Sequence, residues 1–285
     1  MESTEPVGRL VTALAGDRTI RALVAVLHGP AQEMCRRHDL DPAASRLASE
    51  GMVAAALLGS QLKGREQLAV NLFGEDPEFK LNVDLRDEGA IRGRLDPKAL
   101  GTTASEPHLF RGLIAVIKHL DDEELYRGVA EVTDGSVEDA LQGFFDRSLQ
   151  VDGRVRLEVQ LGENGQVEFA AGMLAERLPD LDPEDFETRI VGPMREDFRS
   201  LMTAFAFGQL ASAPVEVLES RELEFRCTCS HERVLSMLRA VGPDELREML
   251  AEDGRAEVTC HFCNEVYEVP GDELAALLAH FEEPR

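Results

Sequence analysis

Four cysteines near the C-terminus are the residues best placed to do chemistry. They stand as Cys227-Thr228-Cys229 and Cys260-His261-Phe262-Cys263, with thirty residues between Cys229 and Cys260. Two close pairs of thiols separated by a helix-sized insert can bring four sulfurs to one point. A tetrahedral zinc site made of four cysteines needs that arrangement, with Zn–S distances of about 2.3 Å. The second pair reads as a knuckle: Val258 leads in, the two thiols face one another across a turn, and Asn264 follows. Asparagine tolerates the left-handed backbone such a turn requires. The first pair departs from ordinary zinc ribbons, which use C-x2-C twice. C-x-C puts two sulfurs on one side of an extended segment, close enough to share a metal. Without the metal the two could bond to each other with little backbone movement, and so could the C-x-x-C pair, because a disulfide needs a Cα separation of roughly 4.4–6.8 Å. The spacing suits a permanent structural site and a switch alike.

Zinc thiolates are already deprotonated, so they need not lose a proton before attacking an oxidant. Arg226, His231, Arg233 and His261 flank the cysteines. They could offset the negative charge of the site, or be ordinary surface residues. The fifth cysteine, Cys35, sits among Met34, Arg36 and Arg37 on a predicted helix. It reads as a buried, idle thiol, with a second redox sensor as the alternative. The chain has no G-x-x-x-x-G-K-[ST] or G-x-G-x-x-G loop to support use of ATP, and no H-E-x-x-H or G-x-S-x-G. Asp180, Asp182 and Asp185 lack the spacing of a calcium loop and read as a helix start.

The elements that must position these groups are legible from periodicity. Residues 9–27 predict two strands around Gly16-Asp17, and 29–38 a helix. Asp41-Pro42 opens a second helix running to about Gln61, since Asp can cap and Pro suits the first turn; Gly51 and Gly59 are costly inside it. From 66 to 96 the period shifts to two, with turns at Gly74-Pro77 and Asp87-Gly89, which is an antiparallel meander. Further strands are expected at 112–118 and 125–132. A helix capped by Ser136 and carrying Val137, Leu141, Phe144 and Phe145 follows, then a hairpin over 155–173.

The character changes at Leu178-Pro183, where Asp182 and Pro183 start a helix that Gly192-Pro193 interrupts and restarts. Phe186, Ile190, Met194, Phe198, Leu201 and Met202 recur at three- and four-residue steps, a stripe rich in Phe and Met. Such a stripe can be an ordinary core face, or a surface buried conditionally and used for binding when released. These six residues are the candidates for such a binding surface. The last stretch predicts helices at 231–240, 243–251 and 272–281 and a small hairpin through Val258 and Val266–Val269. A core of this size seldom supplies more than about 3–5 kcal/mol, whereas zinc in small thiolate sites is worth about 10–16 kcal/mol. The metal should therefore decide whether this part is folded.

The fold class expected is α+β: a mixed N-terminal domain with antiparallel sheets and packed helices over 1–178, a helical linker over 179–224, and a small C-terminal four-cysteine zinc domain over 225–285. A length of 285 residues fits two domains, and a hydrophobic content of 44% allows a real core. Fifty-four acidic against 30 basic side chains give a formal charge of −24, which argues against nucleic acid as a partner. With no apolar run of about eighteen residues, no membrane span is expected. The polar start Met1-Glu2-Ser3-Thr4-Glu5-Pro6 has no signal-peptide character, so a cytoplasmic location is expected, where clustered cysteines bind metal or undergo redox chemistry.

Phe225-Arg226-Cys227-Thr228-Cys229-Ser230-His231-Glu232-Arg233, Leu250-Ala251-Glu252-Asp253-Gly254 and Cys260-His261-Phe262-Cys263 together resemble the C-terminal signature of the 33 kDa chaperonin family, the redox-regulated heat-shock chaperones. Upstream, Tyr126-Arg127-Gly128-Val129, Phe144-Phe145-Asp146-Arg147-Ser148 and Ala171-Gly172-Met173-Leu174 resemble stretches of that family's N-terminal domain. The likeness covers essentially the whole chain. Ala171 stands where many members have Gly, and Asn264 follows the last cysteine where Gly is usual; neither change removes a ligand. The resemblance implies one Zn2+ held by Cys227, Cys229, Cys260 and Cys263 in an inactive, reduced form. It also implies a stress response: an oxidant ejects the metal, Cys227 pairs with Cys229 and Cys260 with Cys263, and the metal domain and linker unfold. The protein then dimerises and holds unfolded or partly unfolded client proteins without ATP. It would not be an enzyme. Two alternatives stand beside this: a permanently structural zinc ribbon in a regulatory protein, and a thiol–disulfide exchange enzyme.

Overall fold

The computed structural model describes residues 8–15, 17–101, 108–121, 123–150 and 152–282, so Gly16 of the first expected turn lies outside the described residues. The chain divides into two compact units, Met1–Arg226 and Cys227–Arg285.

The first unit opens with the hairpin β1 (Gly8–Ala15) and β2 (Ile20–Val26), then α1 (His28–His38) and α2 (Pro42–Leu58). Asp41 caps α2 as expected, its carboxylate accepting from the Ala44 N–H at 2.7 Å, with Pro42 in the first turn. Almost every residue of α2 is buried, and a single 3-10 turn, Gly59–Gln61, finishes it. Its glycines serve close packing: a Cβ at Gly51 would lie 2.3 Å from Leu81 Cδ2, and one at Gly59 would lie 2.3 Å from Leu85 Cδ2. Loss of helix propensity is exchanged there for close approach to a strand. The same helix buries Glu50, whose Oε2 has no hydrogen-bond partner among the described residues and whose nearest cation is Arg46 at 3.9 Å. Burial pushes its pKa up to about 8.

The meander follows as β3 (Glu66–Asp76), β4 (Glu78–Arg86) and β5 (Ala90–Asp96), then β6 (Phe110–Leu120) and β7 (Glu123–Gly135). Ser136 and Asp139 form a capping box at the start of α3 (Val137–Phe144), which ends in a π turn over Phe145–Leu149. The hairpin β8 (Gly153–Leu161) and β9 (Val167–Arg177) completes the sheet framework. Two antiparallel arrays result, β7-β6-β3-β4-β5 and a second containing β1-β2-β9-β8.

The segment after Arg177 differs from expectation in two respects. The helix from Pro183 is not broken at Gly192-Pro193. It runs as α4 (Pro183–Phe186), widens into a π turn over Glu187–Val191, and continues as α5 (Gly192–Glu196). Proline has no N–H to give to the preceding turn, and a widened turn absorbs that loss without a break. The break falls at Asp197 (φ −152°), whose carboxylate accepts from the Ser200 N–H at 3.0 Å and caps α6 (Phe198–Ala206). The stretch expected as a helical linker to residue 224 is helical only to Ala206. Beyond it come β10 (Gln209–Leu210) and the thirteen-residue strand β11 (Ala213–Phe225). β11 pairs antiparallel with β1 from Gly8↔Leu223 to Ala15↔Val215, and parallel with β5 at Glu224↔Ala90 and Phe225↔Ile91. Its exposed charges conceal a strand that is buried only at Leu223 and Phe225. Unpaired N–H and C=O groups on β1 supply what its side chains do not.

The second unit contains α7 (His231–Val241), α8 (Pro243–Glu252), the hairpin β12 (Arg255–Thr259) with β13 (Val266–Pro270), and α9 (Gly271–Glu282). Its core is Val234, Leu238, Leu246, Ala256, Val269, Leu274, Leu277 and Leu278.

Candidate metal centre

The sulfurs of Cys227, Cys229, Cys260 and Cys263 all lie within 4.8 Å of one another. Local structure explains how. Ser230 caps α7 by accepting from the Arg233 N–H at 3.3 Å, which ends the C-x-C segment at a fixed point. Arg233 then folds back, donating to the Thr228 carbonyl at 2.8 Å and to its Oγ1 at 2.7 Å, and so holds the residue between the two cysteines. At the other pair the Cys260 N–H donates to the Glu265 carbonyl at 2.8 Å and the Asn264 N–H to the Cys260 carbonyl at 2.8 Å. Asn264 takes φ 57°, the left-handed conformation expected of it. These bonds make the knuckle that turns Cys260 and Cys263 towards the first pair.

Cys227 Sγ is 3.7 Å from Cys260 Sγ, and Cys229 Sγ is 3.3 Å from Cys263 Sγ. A tetrahedron with Zn–S bonds of about 2.3 Å has S···S edges of about 3.8 Å, so the donor set fits zinc in size as well as in softness. Cys263 is buried and the other three are half-buried. Burial pushes the Cys229 and Cys263 thiols up, and at Cys229 a hydrogen bond from Tyr267 acts against it. Tyr267 Oη donates to Cys229 Sγ at 3.1 Å. That bond raises the pKa of the phenol itself. Tyr267 is the residue the sequence reading passed over; its place on β13, paired across from Val258 beside the knuckle, was the signal available.

The flanking residues behave unequally. His231 Nε2 lies 2.6 Å from Glu273 Oε2 on α9, Arg226 and His261 are exposed, and Arg233 serves Thr228. Cys35 stands apart in the first unit. It is buried, 3.7 Å from the Ser45 carbonyl and 3.9 Å from Ser49 Oγ, and burial pushes its thiol up to about 11.

The Phe and Met stripe is not gathered with the cysteines. Phe186, Ile190, Met194, Phe198, Leu201 and Met202 are all buried in the first unit, against Ile20, Ala22 and Val24 of β2 and Ala171, Met173 and Ala175 of β9. The cover of the stripe is the sheet of its own unit.

Comparison with known proteins agrees with this architecture. The chain matches the family model described as "Hsp33 protein" over residues 8–270. It is 31% identical over 289 residues to the 33 kDa chaperonin of Syntrophotalea carbinolica, covering 95% of this chain and 99% of that one. It is 30% identical over 290 residues to the 33 kDa chaperonin of Bacillus subtilis, covering 94% and 97%. The crystal structure of the 33 kDa chaperonin of Thermotoga maritima, a heat shock protein 33 homologue, superposes with a TM-score of 0.80 at 20% identity, covering 97% of this chain and 99% of that chain, which establishes a shared fold. An α+β body, a small cysteine-bearing unit and sequence matches along nearly the whole length lead to one conclusion: the chain belongs to the Hsp33 family, a family of chaperones.

Proposed function

We propose that this chain is a cytoplasmic, ATP-independent holdase of the stress response, kept inactive by one Zn2+ on Cys227, Cys229, Cys260 and Cys263 and activated by oxidation of those residues. The observation that carries the reading is the convergence of four sulfurs within 4.8 Å inside a unit with a core too small to be comfortable alone. Bound there, zinc would keep all four sulfurs as thiolates and contribute about 10–16 kcal/mol to folding. Each thiolate pair then carries two electrons for an oxidant. With hypochlorous acid, one thiolate takes the chlorine and releases hydroxide, and the neighbouring thiolate displaces chloride to close the S–S bond. By family resemblance the pairs are Cys227–Cys229 and Cys260–Cys263. Four sulfurs joined in two disulfides are no longer thiolate donors, and the small unit loses more folding energy than it holds in reserve.

In this reading residues 1–178 are the core, 179–224 the linker and 225–285 the redox-switch domain. The linker contributes Phe186, Ile190, Met194, Phe198, Leu201 and Met202 to client binding after its helices leave the sheet that covers them. Dimerisation accompanies activation. The clients are unfolded or partly unfolded proteins, and a net charge of −24 disfavours nucleic acid.

The deciding experiment titrates the reduced protein with hypochlorous acid while following zinc release, thiol loss and suppression of aggregation of a denatured client. Suppression that grows with zinc loss is expected. Retained zinc would replace this reading with a structural ribbon, and catalytic thiol exchange without holding would replace it with an enzyme.

A further inference from the structure

We propose that Tyr267 is a positioning residue of the redox switch, its hydroxyl restraining Cys229 so that this sulfur reacts with oxidant more slowly than it would without the hydrogen bond. The inference rests on the holdase reading of the same site. Three observations support it. Tyr267 Oη donates to Cys229 Sγ at 3.1 Å, an ordinary hydrogen-bond length for a sulfur acceptor. Tyr267 is placed by β13, where it pairs with Val258 and its ring packs against the core of the small unit, so the hydroxyl is aimed by backbone register. Cys229 lies 3.3 Å from Cys263 Sγ, the one fully buried cysteine of the cluster, which places the hydroxyl beside the inner sulfurs.

A hydrogen bond donated to a metal-bound thiolate draws electron density away from the sulfur. It stabilises the anion where it sits and weakens it as a nucleophile towards an electrophilic oxygen or chlorine. A phenol suits this role because its aromatic body anchors in apolar surroundings while its O–H reaches a polar partner. After Cys229 has formed a disulfide its sulfur carries no charge and is a poor acceptor, so the bond is lost with oxidation. Tyr267 therefore favours the reduced site and sets a threshold of oxidant below which the C-x-C half stays intact.

The test compares the full-length reduced protein with Tyr267→Phe, which keeps the ring and removes the O–H. Two readouts are followed under limiting hypochlorous acid: zinc release to a chromophoric chelator, and oxidation of each cysteine by differential alkylation and mass spectrometry. Tyr267→Phe is expected to release zinc about 3- to 10-fold faster, the effect of losing one hydrogen bond of ordinary strength, and to speed the oxidation of Cys229 by a similar factor. A second variant guards against a packing defect. The chain has two tyrosines, so a Tyr126→Phe background grown with 3-fluorotyrosine places a more acidic phenol at Tyr267. That protein is expected to oxidise more slowly at Cys229 than its unfluorinated parent. Unchanged rates of zinc release and of Cys229 oxidation in both proteins would overturn the role of Tyr267 while leaving the holdase reading standing. Failure of the parent itself to bind one zinc, or to release it on oxidation, would overturn the holdase reading and the inference with it.

Discussion

The two units solve the same stability problem by different means. The first buries an alanine-rich helix between two strand arrays, with Ala44, Leu47, Ala48, Met52, Val53, Ala54, Ala55 and Leu57 all at 0% exposure. The second has a core of eight residues and four sulfurs drawn together from its first residues and its middle. One is held by area removed from water, which no oxidant alters. On the proposed reading the other depends on thiolate ligation of a metal, which removal of two electrons per cysteine pair would abolish. On that reading a sensor and a scaffold share one chain because their cohesion has different chemistry.

The largest way to break this contrast is Cys263→Ser. Loss of one ligand should forfeit metal-linked folding energy on the order of 10 kcal/mol, against an intrinsic reserve of about 3–5 kcal/mol. Limited proteolysis is expected to digest the chain after Arg226 and leave the first unit resistant. A variant with both units equally resistant would show that the small unit stands without its sulfurs.

The next effect sharpens the comparison inside the first unit. Ile190, on the π turn of the helical segment after Pro183, is fully buried against β2 and β9, and Ile190→Ala should cost about 2–5 kcal/mol. If that segment is the conditionally released part, the loss falls on it: light scattering should show the reduced, zinc-loaded variant suppressing client aggregation above the parent, with zinc stoichiometry unchanged. A lower melting temperature with no gain in holding would place the client surface elsewhere.

Third comes a dependence on pH that belongs to the first unit alone. Glu50 is buried on α2 with Arg46 beside it on the same helix and with Glu138 on α3 and Arg156 on β8 acting on it electrostatically. Its pKa rises from 4.5 unfolded to about 8 folded. Between those values the folded state holds a proton that the unfolded state has released, so stability falls as pH rises through that window. One proton corresponds to about 1.4 kcal/mol per pH unit. Glu50→Gln should flatten that slope, measured by denaturant unfolding of the zinc-loaded protein from about pH 5 to about 8. A parent with no such slope would refute it.

The smallest expected effect is at the helix cap. Asp41→Ala removes the acceptor for Ala44 N–H and for Leu100 N–H at 3.0 Å. It should cost about 1 kcal/mol, read as a modest drop in the unfolding midpoint of the first unit and none in the second.

Much of this architecture could be read from residue types. Period-two runs marked the meander, Ser136 and Asp139 marked a helix start that is a capping box, and the cysteine spacing named the four residues whose sulfurs converge. What escaped reading depended on partners distant in sequence. β11 carries Glu216, Glu219, Glu222 and Glu224 and looks like solvated helix, but the ladder offered by β1, some two hundred residues earlier in the chain, makes it a strand. The place of the helix break escaped because Pro193 has two remedies, a kink or a widened turn, and the choice depends on packing under Ile190 and Met194. Tyr267 escaped because a lone tyrosine carries no motif; its meaning came from the register of β12 with β13.

The alanines of α2 have a further consequence. That helix touches strands from both antiparallel arrays, and between the arrays the backbone ladder amounts to two residues, Glu224 and Phe225 against Ala90 and Ile91. So thin a seam cannot rivet the halves together. The helix does so together with α1 and α3, and its short side chains are what let both plates close on the same shank. A methyl group too many along that shank would act as a wedge, prising apart two sheets that each remain intact.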